Sequence, residues 1–239
     1  MIRTGTIEKA RAGRKHHVLP NGTGYWRNGL ITSAAEAAVS PQAFLVEQDP
    51  NSVIEPHFHQ ENEFQVVVEG DGLLGRHAVA PVRVHYAGAH TGYGPISAGP
   101  NGLSYFTLRA KSDPGAKFLP GARAEMRNAP KRHLLGAAVR PNDAQALASL
   151  HDSEPVELWE PHPDGIGAWM VRVPPTATVP SPARQGASAY LLVTGGVLLL
   201  GGERLPRFAT AFVGAEAAPP GLHAADEGLE LLVLQFPIT

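Results

Sequence analysis

Two histidines and a glutamate within residues 56–70 (PHFHQENEFQVVVEG) have types and a spacing suited to metal chemistry. His57 and His59 are two positions apart, so their imidazoles project from the same face of an extended strand. Residues 60–62 are polar and predict a turn, after which Glu63 begins a returning strand beside the histidines. Two imidazoles and one carboxylate form the facial arrangement that suits Fe(II) and leaves positions open for substrate and dioxygen. Zn(II) or Mn(II) would also accept these ligands.

Chance is a poor explanation for this spacing, because the pattern His-x-His-x3-Glu is expected only about 0.03 times in such a chain. The alternative interpretation is a pair of surface histidines on an edge strand, with Glu63 as a solvated partner. Alternation along the second strand places Gln65 on the same face as Glu63. We therefore expect Gln65 to contact the substrate or a metal-bound water, the alternative being an amide bonded to neighbouring backbone.

The elements that position these residues are predicted to be strands, because the apolar segments are short and are interrupted by glycine and proline. A helix is predicted only over 141–152, where Asn142 or Asp143 precedes a short Ala/Leu segment. The predicted strands cover residues 42–48, 63–70, 82–88, 103–110, 167–174, 189–202, 209–214 and 229–237.

The two halves of the chain repeat one pattern at an offset of about 125 residues. Residues 188–195 align with 63–70 as an apolar strand that ends in glycine. Residues 228–234 align with 102–108, with one inserted residue between the two matched blocks. From this repeat we predict three segments: a domain over 1–115, a linker over 116–155 and a domain over 156–239.

The stretch around His57 resembles the first motif of the cupins, Gly-x5-His-x-His, then three or four residues, Glu, six residues and Gly. Four residues satisfy this spacing: His57, His59, Glu63 and Gly70. Pro50 or Asn51 replaces the leading glycine. With two copies, over roughly 40–110 and 160–239, the chain is similar to a bicupin, an all-β protein of two tandem jelly-roll barrels. The resemblance implies one divalent metal ion, bound by these ligands in the first barrel.

Cupins carry a fourth ligand in a second motif, a histidine after a Pro-Gly turn, and the first half of this chain lacks it. Alignment with His223 of the second half places that position near Ser97. The resemblance leaves two alternatives: three protein ligands, or His90 as a substitute, for which a polar loop residue is the simpler interpretation. Tyr93, close to His90, is a candidate to line the pocket and contact the substrate.

The second half keeps the strand pattern but not the ligands. Pro182, Arg184 and Ser188 stand in the places of the three ligands, and only His223 remains. We therefore predict no metal in this half. Arg184 is expected to be an exposed loop residue rather than an anion-binding one.

Three further histidines are predicted to lie outside any site. His16 and His17 are adjacent, so they face opposite sides of a strand and are expected at the surface. His85 alternates with apolar residues in 82–86, which predicts that it lies on a solvated face.

Composition narrows the class of partner. The net charge is −2, with acidic and basic residues interspersed, so nucleic acid and anionic membranes are poor candidates and a small-molecule substrate is expected. The chain has no cysteine, so thiolate ligands and nucleophiles are excluded. No apolar run long enough for a membrane span and no apolar leader are seen, which predicts a cytoplasmic protein. The strand edges of two barrels make a homodimer a reasonable expectation.

The leading hypothesis is a non-haem metal oxygenase, with Fe(II) favoured, that acts on a small organic molecule. Because the cupin fold hosts many reactions, two alternatives stay open. One is an isomerase, decarboxylase or lyase that uses Mn(II), Zn(II) or Ni(II) as a Lewis acid. The other is a non-catalytic protein that binds a small molecule.

Overall fold

The structure, a computed structural model, describes residues 1–32, 40–128, 130–218 and 220–238. Contacts divide the chain into two compact units, the N-terminal unit (residues 10–138) and the C-terminal unit (residues 1–9 and 139–239). Residues of the predicted linker over 116–155 are thus shared between the two units. The first nine residues belong to the C-terminal unit, although the sequence assigned them to the first domain.

The N-terminal unit is an antiparallel β structure. Its main sheet has the order β12-β9-β7-β10-β4-β3-β2, with β5 paired to β10 and β8 paired to β7, while β6 pairs with β11. The strands are β2 (Lys15–Val18), β3 (Gly24–Ile31), β4 (Gln42–Gln48), β5 (Val53–Ile54), β6 (His57–Phe58), β7 (Glu63–Leu74), β8 (His77–Val79), β9 (Arg83–Ala87), β10 (Ile96–Arg109), β11 (Lys117–Phe118) and β12 (His133–Leu135). A 3-10 turn covers Arg123–Glu125.

The C-terminal unit is also antiparallel, with the order β1-β17-β15-β18-β14-β13 and β16 paired to β15. Its strands are β1 (Ile2–Gly5), β13 (Glu154–Glu157), β14 (Gly167–Val173), β15 (Ala189–Leu200), β16 (Glu203–Pro206), β17 (Thr210–Val213) and β18 (Leu222–Gln235). The strand β1, from the start of the chain, pairs with β17 near its end. The helices are α1 (Ile7–Ala12), which spans the division between the units, and α2 (Ala144–Ala148).

Each unit has its own apolar core, built from alternate residues of its long strands. In the N-terminal unit this core includes Phe44, Val46, Val67, Leu103 and Tyr105. In the C-terminal unit it includes Val171, Leu191, Val193, Leu231 and Val233. Burial of each such side chain contributes on the order of 1.5–3 kcal/mol, so both units can hold their strands by packing.

The predicted repeat is present in the strand register. In the N-terminal unit Glu63 lies opposite Ala87 across β7 and β9. In the C-terminal unit Ala189 lies opposite Val213 across β15 and β17, each 126 positions later in the chain. The sequence alignment had placed Ser188 in the position of Glu63, and the register corrects this by one residue.

Two glycines explain why the repeat keeps this register. Gly70 and Gly196 both have positive φ, 74° and 68°. A Cβ atom at Gly70 would lie 2.1 Å from the carbonyl oxygen of Gly102, and one at Gly196 would lie 2.0 Å from that of Gly228. Only glycine therefore fits at these crossings. Gly196, not the aligned Gly195, is the counterpart of Gly70.

The eight predicted strands all occur, and the fold is the predicted pair of antiparallel jelly-roll barrels, the cupin fold. The long strands β10 and β18 begin earlier than predicted, at Ile96 and Leu222, because both strands continue through a glycine near their middle. The predicted helix is the shorter α2, capped by Asp143, whose side chain accepts a bond from the Ala146 amide at 2.8 Å. No helix in the described part of the chain is long and apolar enough to cross a membrane.

Candidate functional site

A cavity of about 180 Å³ lies inside the N-terminal unit. Alternate residues of three neighbouring strands face it, as the two-residue period of a strand requires. These residues are Tyr25 and Arg27 on β3, Gln42, Phe44 and Val46 on β4, and Tyr105, Thr107 and Arg109 on β10. Gln65, His57, His59, Tyr93, Asp113 and Phe118 complete much of the remaining wall.

The first histidine, His57, is held in one tautomer by its backbone neighbour. Its Nδ1 lies 2.8 Å from the carbonyl oxygen of Glu55, which only accepts, so Nδ1 carries the proton. Burial lowers the pKa of His57 to about 4, so the ring is neutral near pH 7. The unprotonated Nε2 therefore points into the site, 2.9 Å from the hydroxyl of Tyr93.

The second histidine, His59, is oriented by a carboxylate. Its Nδ1 lies 2.7 Å from Oδ1 of Asp113, and its Nε2 lies 3.9 Å from Oε2 of Glu63. Asp113 also accepts bonds from the amides of Gln60 at 2.7 Å and Gly115 at 2.8 Å. Burial would raise the pKa of Asp113, but His59 and these bonds lower it to about 2. A carboxylate that holds Nδ1 of a histidine in this way is typical of metal-ligating histidines.

The carboxylate of Glu63 is fully buried and saturated with donors. Tyr93 donates to Oε1 at 2.5 Å, and Arg109 donates to Oε2 from Nε at 2.9 Å and from Nη2 at 2.7 Å. Burial alone would raise the pKa of Glu63, but the charges of His59 and Arg109 and the Tyr93 bond lower it. Glu63 is therefore an ionised carboxylate in an ion pair.

Beside these residues, Gln65 joins two further side chains. Its Nε2 donates to the Tyr93 hydroxyl at 3.1 Å, and its Oε1 lies 2.9 Å from Nδ1 of His85. His85 is only 2% exposed, and burial lowers its pKa to about 3. The prediction that His85 faces solvent is wrong, because both faces of β9 are buried, with Val84 and Tyr86 on the other side.

The protons around Tyr93 do not satisfy all the lone pairs that meet there. The hydroxyl has one proton, donated to Glu63, and it also receives the Gln65 bond. The lone pair of His57 Nε2 therefore faces an oxygen lone pair at 2.9 Å. The Nε2 of His59 lies 3.9 Å from a carboxylate oxygen of Glu63. An added cation would relieve the contact at His57.

The donor types and spacings fit a divalent ion. Neutral imidazole, carboxylate and phenol oxygen are ligands for such ions, whose neighbouring donors are about 3 Å apart. The 2.9 Å between His57 Nε2 and the Tyr93 hydroxyl agrees with that spacing. The ion pair of Glu63 with Arg109 opposes metal binding, because it already engages this carboxylate. Within the described residues no three His, Asp or Glu side chains already form a metal-binding group.

The other predicted site residues lie elsewhere. The ring of His90 packs against Phe58 at 5.6 Å between centroids, and His90 does not line the cavity. Ser97 lies on β10 opposite Leu73 and also does not line it. Tyr93, 36 positions after His57, brings its hydroxyl to 2.9 Å from Nε2 of His57.

The sequence did not identify three residues of this site. Arg109 follows Tyr105 and Thr107 at alternate positions of β10, a signal that could have placed it inside. Asp113 lies in a polar turn, and nothing in its local sequence indicates contact with His59. His17 was expected at the surface with His16, but it is partly buried, stacks on Tyr25 and lines the cavity.

The C-terminal unit has a cavity of about 260 Å³ with a different lining. Ala189 and Leu191, the counterparts of Glu63 and Gln65, line it. Gln235 is the counterpart of Arg109 and bonds to backbone, donating to the Gly165 carbonyl and accepting from the Arg184 amide. The side chain of Arg184 is exposed, as predicted, and so is His223.

No known family model matches the chain, and no curated protein matches it. The chain is, however, similar to a number of solved structures. A bacterial pirin from Escherichia coli, crystallised with nickel(II), is 11% identical with a TM-score of 0.61, over 100% of both chains. A salicylate 1,2-dioxygenase from Pseudaminobacter salicylatoxidans is 12% identical with a TM-score of 0.59, over 98% of this chain and 84% of the other. Oxalate decarboxylase from Bacillus subtilis is 12% identical with a TM-score of 0.57, over 98% and 76%. At this identity the likeness establishes the cupin fold.

Proposed function

We propose that the protein is a metal-dependent cupin enzyme whose N-terminal unit holds one divalent ion. His57, His59 and Glu63 would bind the ion, with the Tyr93 hydroxyl beside them. The observation that carries the proposal is the orientation of the two imidazoles. Each has Nδ1 engaged by a fixed acceptor, while Nε2 of His57 lies 2.9 Å from the Tyr93 hydroxyl and Nε2 of His59 lies 3.9 Å from the Glu63 carboxylate. The pirin, dioxygenase and decarboxylase structures of the same fold support this choice.

Within that class we propose a non-haem Fe(II) dioxygenase acting on a small organic molecule. The ion would supply Lewis acidity and the activation of dioxygen. The protein's part is positional: Asp113 and the Glu55 carbonyl hold the imidazoles, and the buried walls limit access of water. Gln65 holds the Tyr93 hydroxyl at 3.1 Å, so these two side chains would orient a substrate at the ion. An isomerase, decarboxylase or lyase with Mn(II), Zn(II) or Ni(II) would use the same residues but consume no oxygen.

A second candidate is a non-catalytic protein that binds a small molecule without metal. The ion pair of Glu63 with Arg109 favours it, because three donor bonds already satisfy this carboxylate. Cytoplasmic location and a homodimer remain predictions alongside either function.

Metal analysis of protein purified without chelators tests the proposal. We expect close to one divalent ion per chain, and loss of most of it in His59→Ala, since two ligands hold an ion far more weakly than three. His223→Ala, an exposed histidine of the C-terminal unit, is the matched control and should keep the ion. A parent protein without metal after incubation with Fe(II), Mn(II), Zn(II) and Ni(II) would favour the second candidate.

A further inference from the structure

One cation in the wall of the N-terminal cavity has no acidic partner among the described residues. Arg27 lies on β3 and faces the cavity beside Tyr25. Its guanidinium is 4.0 Å from the centroid of the Phe44 ring, which holds it in place. Phe44 supplies a flat support but no negative charge.

The other charges of the cavity are already paired. Arg109 binds Glu63 through two nitrogens and Gln42 through a third, at 2.6 Å. Asp113 accepts from His59 and from backbone amides. Burial and the charge of Arg109 both lower the pKa of Arg27, so its positive charge is uncompensated where it lies. An anion in the cavity would offset the cost of burying this uncompensated charge.

The size and lining of the cavity limit what the anion can carry. About 180 Å³ is comparable with the roughly 150 Å³ of a protein cavity that binds benzene. One six-membered ring therefore fits. Aromatic rings form much of the wall, from Tyr25, Phe44, Tyr105 and Phe118. These rings suit a flat or short apolar body.

We propose that Arg27 binds the carboxylate of a small monocarboxylic acid whose apolar body is no larger than one ring. The acid would be the substrate if the proposed enzyme function is correct, and a bound ligand otherwise. In both cases Arg27 determines specificity, through a planar guanidinium that can donate two parallel bonds to a carboxylate.

Calorimetric titration with benzoate, and with benzamide as its neutral counterpart, tests this on the full chain, once with metal added and once with chelator. We expect benzoate to bind at least about 10-fold more tightly than benzamide. Arg27→Gln should abolish that preference, and Arg27→Lys should keep part of it. Arg14→Gln removes another arginine that lies over an aromatic ring, that of Trp26, outside the cavity, and should change nothing. A thermal melt of each variant establishes that it is folded.

The outcomes separate this inference from the proposed function. Equal binding of benzoate and benzamide, or a preference that persists in Arg27→Gln, overturns the role of Arg27 even if metal is bound. An Arg27-dependent preference in a protein that never binds metal supports Arg27 and counts against the enzyme. Binding of 1-naphthoate as tightly as benzoate would overturn the size limit.

Discussion

The two units of this protein differ at equivalent positions of their repeated strands, where the N-terminal unit carries three polar residues and the C-terminal unit carries one. The N-terminal cavity has Gln65 and Arg109 in its wall, with Glu63 behind them. The counterparts in the C-terminal unit are Leu191, Gln235 and Ala189. Both sets are compatible with the same strand register. The barrel therefore does not need a buried charge at these positions.

This difference bears on why the N-terminal unit keeps its charges. A buried ion pair contributes little net stability, since desolvation of both groups offsets their attraction. The C-terminal unit meets the same structural need with an amide bonded to backbone at Gln235. The polar cluster around Glu63 is thus better explained by binding and chemistry than by folding.

The largest effect is expected when the N-terminal unit is given the residues of the C-terminal one. Glu63→Ala alone leaves Arg109 buried without its carboxylate and should lower the free energy of unfolding by about 3–5 kcal/mol. The double variant Glu63→Ala with Arg109→Gln reproduces the pair Ala189 and Gln235 and should recover most of this loss. Urea denaturation measures both. If the double variant is as unstable as the single one, the two barrels are not equivalent at these positions.

A smaller effect is expected from replacing Gln65 by its apolar counterpart. Gln65→Leu removes the bond to Tyr93 and the acceptor for His85, but none of the three proposed ligands. Metal content should stay at the parent level while turnover, or affinity for an acid such as benzoate, falls about 10-fold. The reciprocal variant Leu191→Gln in the C-terminal cavity is the control and should leave both unchanged. If Gln65→Leu binds and turns over as the parent does, Gln65 has only a packing role.

The two units should also differ in how their stability depends on pH. His85 has a folded pKa of about 3, because of burial, against 6.5 when exposed. Between these values the unfolded chain binds a proton that the folded one does not. The contribution of His85 to the free energy of unfolding is therefore fully present above pH 6.5 and falls by about 1.4 kcal/mol per pH unit below it. Its counterpart in the other barrel is Ala211, which does not titrate.

Denaturant unfolding at several pH values between 7.5 and 5 measures this effect. The slope of the unfolding free energy against pH should be shallower in His85→Asn than in the parent, by an amount that corresponds to about one proton. An unchanged slope in His85→Asn would mean that His85 is not held neutral by burial.

The sequence predicted the fold and the three proposed ligands because both depend on local periodicity. Strand alternation brought His57, His59 and Glu63 to one place, and the glycine-terminated strands indicated the repeat. The partners of these residues come from distant segments. Asp113 is 54 positions from His59, and Arg109 is 46 from Glu63. No local pattern reports such a contact, so the ion pair that competes for Glu63 was not predicted.

The burial of His85 was missed for a different reason. Alternation of apolar and polar residues predicts one wet face, but β9 is buried on both faces. The polar side is dry because Gln65 and Tyr93 lie behind it and contact His85. A polar residue in a strand therefore marks an interior network as readily as a surface, and only the tertiary structure distinguishes the two.

The pairing of β1 with β17 has a consequence for how the protein is made. The ribosome delivers β1 first and its partner strand about 205 residues later. At roughly 5–20 residues per second this separation is about 10–40 s of translation. The whole N-terminal unit emerges during that interval, while the first strand waits unpaired. Translation thus completes the N-terminal unit first, and the C-terminal unit can pair β1 only after β17 has been made.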